Sequence, residues 1–205
     1  MSVKIEKAYI LKSFVINESD RVISVLNEKG EKISLVAKGG NRLKSRFQGK
    51  LEPFSFVKVE YFDRGKGGLN SLNNVELLEN LQKWIKGDMK KFFALSFLNE
   101  VTDRFVYEKE RNSKIFRLIK HVIDSLKDGV DLKLAISYFS IWMLKLSGVL
   151  SEFNEEIQCL NEILAKPLDK LDCKEPQTIF NFGLDLISKN SDKPLSSADM
   201  LKNLI

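Results

Sequence analysis

The sequence predicts an α+β protein in which a small β-barrel is followed by an all-helical region. Seven of the eleven glycines fall within residues 1–80, whose other residues are rich in β-branched and aromatic types. After about residue 77, the spacing of apolar residues changes from two to nearly four. The chain has 205 residues, 43% of them hydrophobic and 30% charged, which suits a globular protein of one or two domains. We therefore expect one domain over residues 1–78 and a second over residues 79–205.

The first domain is predicted to contain five short strands. They are expected over residues 5–16, 21–28, 32–38, 54–63 and 69–76. In the fourth, Val57, Val59 and Tyr61 alternate with charged residues, as in a strand with one buried face. The hairpin sequences EKGE (28–31) and RGKGG (64–68) supply glycine where a positive φ is needed. Five strands in so few residues favour a closed barrel, most simply an OB-fold.

The second domain is predicted to be helical throughout. Helices are expected over residues 76–86, 88–107, 112–128, 131–148 and 152–165. Gly87, Gly129 and Gly148 mark breaks between them, and Asp131 is a suitable N-cap. The segment 131–148 is apolar nearly all round, so we expect it at the centre. Three of the four prolines lie in the last forty residues, which predicts shorter elements there.

The excess of positive charge is concentrated in the first domain. The net charge is +5, and residues 1–80 carry fourteen basic and ten acidic groups. The remainder carries nineteen basic and eighteen acidic groups, which nearly cancel. A partner that is attracted by charge is therefore expected at the N-terminal domain.

The cysteines and the apolar segments indicate a cytoplasmic protein. Cys159 and Cys173 are fourteen residues apart, which matches neither a C-x-x-C pair nor a disulfide-dense secreted scaffold. We interpret them as cysteines of a reducing cytoplasm. The N-terminus has no long apolar segment, and polar residues interrupt the most apolar stretch, so neither export nor membrane insertion is expected.

The sequence offers little for catalysis. Its one histidine, His121, is not accompanied by a Ser or Cys motif, and a single histidine excludes a multi-histidine metal site. Gly49 and Gly65 each precede a lysine, but the glycine that a phosphate loop needs five residues earlier is absent in both cases. We expect no enzymatic activity, no metal and no cofactor.

The sharpest local signal is a basic segment between the third and fourth strands. Residues 38–50, called the basic loop below, contain five cations and no acid. These cations are the first candidate DNA-binding residues: Lys38, Arg42, Lys44, Arg46 and Lys50. Cationic side chains bind phosphates without regard to base sequence, because binding releases counterions.

Three further residues are candidates for the same DNA-binding surface. Phe47 is expected to be exposed in a mobile basic loop, where it would stack on a base. Arg64 and Lys66 lie in the turn between the fourth and fifth strands, which often borders the oligonucleotide groove of an OB-fold. The alternative, a solvated loop that only keeps the protein soluble, is about equally consistent with the residues alone.

Several short motifs in this domain follow one another in a recognisable order. They are Ile10-Leu11-Lys12, Glu18-Ser19-Asp20-Arg21, Gly30, Ala37-Lys38-Gly39, Ser45-Arg46-Phe47, Leu51 with Pro53-Phe54, and Gly68-Leu69. Their order and spacing resemble the bacterial recombination mediator family RecO. The resemblance implies an OB-fold, a helical domain and no catalytic residues. It also implies binding of single- and double-stranded DNA, annealing of complementary strands, and help in loading RecA onto SSB-coated DNA.

The same resemblance implies protein partners in DNA repair and recombination. These are RecR and the acidic C-terminal tail of the single-stranded-DNA-binding protein SSB, with the tail received by the helical domain. Many RecO proteins carry a four-cysteine zinc module after a Leu-x-Gly segment. Here Leu146-Ser147-Gly148 is followed by Cys159 without a C-x-x-C partner, so an intact zinc module is not expected.

Two other functions are compatible with the residues. The chain could be a protein-interaction adaptor whose barrel docks a partner, in which case an acidic, Phe-ended peptide would bind and DNA would not. It could also be a small RNA-binding OB protein, which would prefer structured RNA over single-stranded DNA.

Overall fold

The computed structural model describes residues 2–65, 69–108, 110–149 and 158–204. The chain forms two compact units, which are described separately. The first comprises Met1–Lys86 together with Val106–Ser113, and the second comprises Gly87–Phe105 together with Lys114–Ile205. The segment Val106–Ser113, which lies in sequence between two parts of the second unit, therefore belongs to the first unit.

The first unit is a closed five-stranded barrel. Its strands are β1 (Ser2–Val15), β2 (Arg21–Asn27), β3 (Lys32–Ala37), β4 (Ser55–Asp63) and β5 (Asn70–Asn80). They follow one another around the barrel in the order β1-β2-β3-β5-β4. All neighbours are antiparallel except β3 and β5, which pair in parallel through Leu35 with Asn70 and Val36 with Ser71. The predicted OB-fold is confirmed.

Alternating residues fill the inside of the barrel. In β4, Val57, Val59 and Tyr61 are buried, whereas Lys58 between them is exposed. Apolar side chains from all five strands join them in one core cluster. Burying one large apolar side chain stabilises a fold by about 1.5–3 kcal/mol, so this cluster is the main stabilising element of the barrel.

The predicted helix over residues 76–86 is largely wrong. Strand β5 continues to Asn80, and only α1 (Gln82–Ile85) is helical in this stretch. Residues 76 and 77 pair with β4, and the Glu76 carboxylate lies 3.5 Å from the Lys58 ammonium. The leucine-rich sequence has a helix-like spacing, but pairing with β4 satisfies its backbone groups and sets the strand conformation.

Residues 106–108 and 110–113 pack against the hairpin between β2 and β3. The Ser34 hydroxyl donates to Glu108 at 2.8 Å, and Arg111 lies 3.3 Å from Glu31. Gly30 has a φ of +73°, and a Cβ placed there would lie 1.9 Å from the Asn112 carbonyl oxygen. Only glycine therefore fits at this turn, both for its backbone conformation and for the close approach of the second segment.

The second unit is helical, as predicted. Its helices are α2 (Met89–Phe105), α3 (Ser113–Lys127), α4 (Leu132–Leu146), α5 (Gln158–Ala165), α6 (Pro176–Lys189) and α7 (Ser196–Leu204), with a 3₁₀ turn at Leu168–Lys170. The side chain of Asp131 accepts a hydrogen bond from the Leu134 N–H at 3.0 Å, which confirms the N-cap. Helix α4 is buried along most of its length and packs against α2, α5 and α6, so its predicted central position is confirmed. Residues 152–157 of the helix predicted over 152–165 lie outside the described residues.

The two cysteines form a disulfide. Cys159 in α5 is bonded to Cys173, which lies between the 3₁₀ turn and α6, with 5.5 Å between their Cα atoms. This pairing departs from our interpretation of the two as cysteines of a reducing compartment. The helices in the described ranges are each too short or too polar to span a bilayer.

Candidate nucleic-acid interface

The basic loop is a succession of tight turns. The N–H groups of Arg42, Ser45 and Gln48 each donate to the carbonyl three residues earlier, at 3.0–3.2 Å. Lys50 continues the series with a bond to Phe47 at 3.0 Å. These bonds satisfy much of the backbone internally, so the segment has a defined path between β3 and β4.

Two side chains anchor this path in the barrel core. Phe47 and Leu51 are each only 1% exposed and belong to the core cluster of the barrel. They are four residues apart, and the intervening turn places both on the same side of the segment. The expectation of an exposed Phe47 is therefore wrong, because its ring contributes to the barrel core and is not available to stack on a base. The Arg46 guanidinium lies 4.8 Å from the centre of the Phe47 ring, a cation–π contact at the edge of the core.

The turn between β1 and β2 holds the beginning of the loop. The Gly39 N–H donates to the Asp20 carboxylate at 2.7 Å, and the Asn41 N–H donates to the Ser19 carbonyl at 2.9 Å. The bond from Gly39, together with one from Asn17, holds the pKa of Asp20 below its usual value. Gly39 has a φ of +69°, a conformation that glycine adopts at little cost.

An ion pair fixes the far end of the loop. The Arg21 guanidinium at the start of β2 lies 2.9 Å from the Glu52 carboxylate, which comes just before β4. Arg21 is therefore engaged in holding the loop. We do not count it among the cations that are available to a ligand.

The cations of the loop form no salt bridges among the described residues, although Arg42 lies near enough to Asp20 to help lower the pKa of that carboxyl. Lys38, Arg42, Lys44 and Arg46 are exposed, whereas Lys50 is half-buried and its ammonium lies 3.5 Å from the Val75 carbonyl. Within the described ranges, no carboxylate lies in salt-bridge contact with any of the five. Several positive charges thus lie close together in one segment. Their combined electrostatic potential attracts phosphate groups.

Arg64 lies in a different setting. It lines a cavity of about 630 Å³ on the barrel, together with residues of β1, β3 and the segment 106–113. The charges in that cavity are largely paired: Lys4 with Asp63, and Arg111 with Glu31. A polyanion would gain less here than at the basic loop, because these carboxylates would repel it. Lys66 lies outside the described residues.

An exposed apolar group in and beside the loop was not among the predicted site residues. Leu43, between Arg42 and Lys44, is 92% exposed. Phe14 and Val15, at the end of β1, and Ile16, directly after it, are each about half exposed, at 46–50%. The run FVI directly before the turn NESD was the available signal, since a strand that ends in three apolar residues leaves at least one on the outside.

The second unit has a groove of its own between α3 and α4. It encloses about 390 Å³ and combines apolar side chains with cations at one side: Lys114, Arg117, Leu118, His121, Tyr138, Trp142 and Leu146. The Lys145 ammonium lies 4.9 Å from the centre of the Trp142 ring and adds positive charge nearby. His121 packs edge-on against Tyr138, with 5.8 Å between the ring centres.

Comparison with known families decides the relationship of the chain. A model of the N-terminal domain of recombination protein O matches residues 1–81. A model of the C-terminal domain of the same protein matches residues 86–173. The chain belongs to the RecO family.

Individual RecO proteins are similar over much of this chain. It is 29% identical to the DNA repair protein RecO of Koribacter versatilis over 160 residues, which are 78% of this chain and 65% of the relative. It is 32% identical to the DNA repair protein RecO of Caldanaerobacter subterraneus subsp. tengcongensis over 146 residues, 70% of this chain and 56% of the relative. The chain therefore spans less than two thirds of the length of these RecO proteins.

The motifs that resemble RecO mainly build the support of the basic loop. Asp20 and Gly39 form the bond that starts it, and Phe47 and Leu51 anchor its middle in the core. Arg21, in the same motif as Asp20, pairs with Glu52 at its end. In this RecO-family chain, the recognisable pattern thus specifies the shape of the loop, and the exposed cations supply its charge.

Proposed function

We propose that the chain is a non-enzymatic recombination mediator that binds single- and double-stranded DNA through the basic loop of its OB-fold. The first unit, whose barrel extends past the boundary predicted at residue 78, would hold nucleic acid, and the second unit would receive protein partners. The observation that carries the proposal is the set of exposed loop cations that form no salt bridge in the part of the chain that the structure describes. Membership of the RecO family supports the same proposal. We propose that the protein acts in the cytoplasm.

The electrostatic contrast within the barrel favours the loop over the cavity. Phosphate binding depends on cations whose charge is not already cancelled, because only these replace the counterions of DNA. Lys38, Lys44 and Arg46 meet that condition, and Arg42 is opposed only by the nearby Asp20 without a salt bridge. Lys4 and Arg111 in the cavity are instead in salt bridges with acids. Phosphate contacts carry no base information, so the loop should bind unrelated sequences alike.

Strand annealing tests the mediator function most fully. We expect the protein to anneal complementary single strands, both naked and coated with SSB. The variant with Arg42, Lys44 and Arg46 replaced by alanine should lose this activity. A matched variant with Lys174, Lys189 and Lys193 replaced, three exposed lysines of the helical unit, removes the same charge and should remain active. Equal annealing by the two variants would contradict the assignment of the loop.

For the protein partners, we propose that the groove between α3 and α4 receives the acidic, Phe-ended tail of SSB. Its apolar wall of Leu118, Trp142 and Leu146 suits a terminal phenylalanine, and the neighbouring Arg117 suits the acidic residues before it. The function also involves RecR and the loading of RecA, to which no residues are assigned.

A labelled tail peptide tests the groove directly. Trp142→Ala and Arg117→Glu should each weaken peptide binding, and Lys193→Glu, which makes the same charge change elsewhere, should not. Binding that is unchanged by both groove variants would contradict this placement. Tail binding together with no DNA affinity at moderate salt would instead favour the adaptor function, and a preference for structured RNA would favour an RNA-binding OB protein.

A further inference from the structure

Four exposed apolar residues lie directly before the turn between β1 and β2 and in the basic loop, which is hydrogen-bonded to that turn. Phe14 and Val15 end β1, Ile16 directly follows it, and Leu43 lies in the basic loop. The turn that follows β1 accepts two hydrogen bonds from Asn41, one from its N–H to the Ser19 carbonyl at 2.9 Å and one from its side chain to the Glu18 carbonyl at 3.3 Å. The apolar end of β1 and the first half of the basic loop are thus held at the same end of the barrel.

The strand register places Phe14 on the outer face of the barrel. Ser13 is paired with Ile23, which belongs to the barrel core, so Phe14 faces the opposite way. The residue is 50% exposed, which leaves part of its side chain accessible to a ligand. Leu43 is 92% exposed and is flanked by exposed Arg42 and Lys44.

A ligand that fits this surface must be anionic and must also offer apolar faces. Single exposed apolar residues are common, but here they adjoin a run of unpaired cations in an ordered segment. In single-stranded nucleic acid, phosphates and unstacked bases occur together, whereas a duplex presents mainly its phosphates. Because Phe47 is buried, its ring cannot serve as the base contact at this surface.

We propose that Phe14 and Leu43 contact the bases of single-stranded DNA, Phe14 as a stacking surface and Leu43 as an apolar contact between bases. This inference rests on the proposed function, because the cations bring the strand to the surface. The apolar pair then adds a preference for unpaired bases. It explains how one site can hold both duplex and single-stranded DNA yet favour the strand whose bases are free to pair with a complement.

The test compares an oligothymidylate with an abasic oligomer of the same length, since the two share a phosphate backbone and differ in bases. The unaltered protein should bind the oligothymidylate at least tenfold more tightly, because stacking of even one base is worth about that much. The variant with Phe14→Ala and Leu43→Ala should lose the preference while keeping its affinity for the abasic oligomer. Phe14→Trp should retain the preference, which separates stacking from a merely structural effect.

The control uses two equally exposed apolar residues at the other end of the same strand. Val3 and Ile5 are 53% and 59% exposed, and their replacement by alanine should leave the preference unchanged. A preference that persists in the Phe14 and Leu43 double variant would overturn the inference while leaving the loop assignment intact. Failure of the unaltered protein to bind either oligomer would instead overturn the proposed function. Loss of binding to anionic phospholipid vesicles in the double variant, with base preference unchanged, would assign the surface to membranes and also overturn the inference.

Discussion

Replacement of Phe47 by alanine should destabilise the barrel strongly, although the residue lies in a polar, basic loop. Its ring is 1% exposed and packs in the barrel core. Truncation of a buried phenylalanine removes its transfer free energy and leaves a cavity, and together these cost about 3–5 kcal/mol. With a urea dependence of about 2 kcal/mol per molar, the unfolding midpoint should fall by about 2 M.

Tryptophan fluorescence can follow the unfolding of the barrel unit separately from that of the helical unit. The chain has two tryptophans, Trp84 in the barrel unit and Trp142 in the helical unit, so a Trp142→Phe background leaves a probe of the barrel alone. Leu43→Ala is the control, because a residue that is 92% exposed should change the free energy of unfolding by less than about 0.5 kcal/mol. A loss below about 1 kcal/mol for Phe47→Ala would refute the anchor. The folded Phe47→Leu variant should bind DNA normally, and weakened binding there would restore a stacking role for the ring.

Three further predictions concern stability. Burial alone would raise the pKa of Glu6, but hydrogen bonds from Lys29 and Asn27 outweigh it and hold the pKa below its usual value. The barrel should therefore lose stability as the pH falls through the folded pKa of Glu6. Urea titrations should show that Glu6→Gln flattens this dependence. Gly30→Ala should lower the melting temperature, because the new Cβ would meet the Asn112 carbonyl at 1.9 Å; an unchanged melting temperature would exclude that contact. Reduction, or Cys159→Ser, should destabilise the helical unit by about 3 kcal/mol, because the disulfide closes a loop of fourteen residues. Equal stability of the oxidised and reduced protein would argue against the disulfide.

The elements with clear periodicity could be predicted from the sequence. The alternation in β4 reports a strand with one buried face, and the N-cap at Asp131 reports the start of α4, because both patterns arise from local geometry. The stretch after residue 76 could not be assigned in this way. Its leucines suit a helix, and only the presence of β4 as a partner extends β5 to Asn80.

The candidate site was predictable in its charge but not in its shape. The cations of the basic loop are visible in the sequence, whereas the burial of Phe47 depends on turns that bring it into line with Leu51. The spacing of four residues between these two was the one local hint. The bond between Cys159 and Cys173 depends on tertiary proximity, which two isolated cysteines do not reveal.

The salt dependence of single-strand binding tests the central electrostatic claim most directly. Four exposed cations in the basic loop should give a slope of log affinity against log salt near −3, from about 0.7 per phosphate neutralised. Replacement of Arg42, Lys44 and Arg46 by alanine should reduce the slope to about −0.7, because Lys38 alone remains fully exposed in the loop. A slope near zero in the unaltered protein, or one that the triple replacement leaves unchanged, would contradict the account.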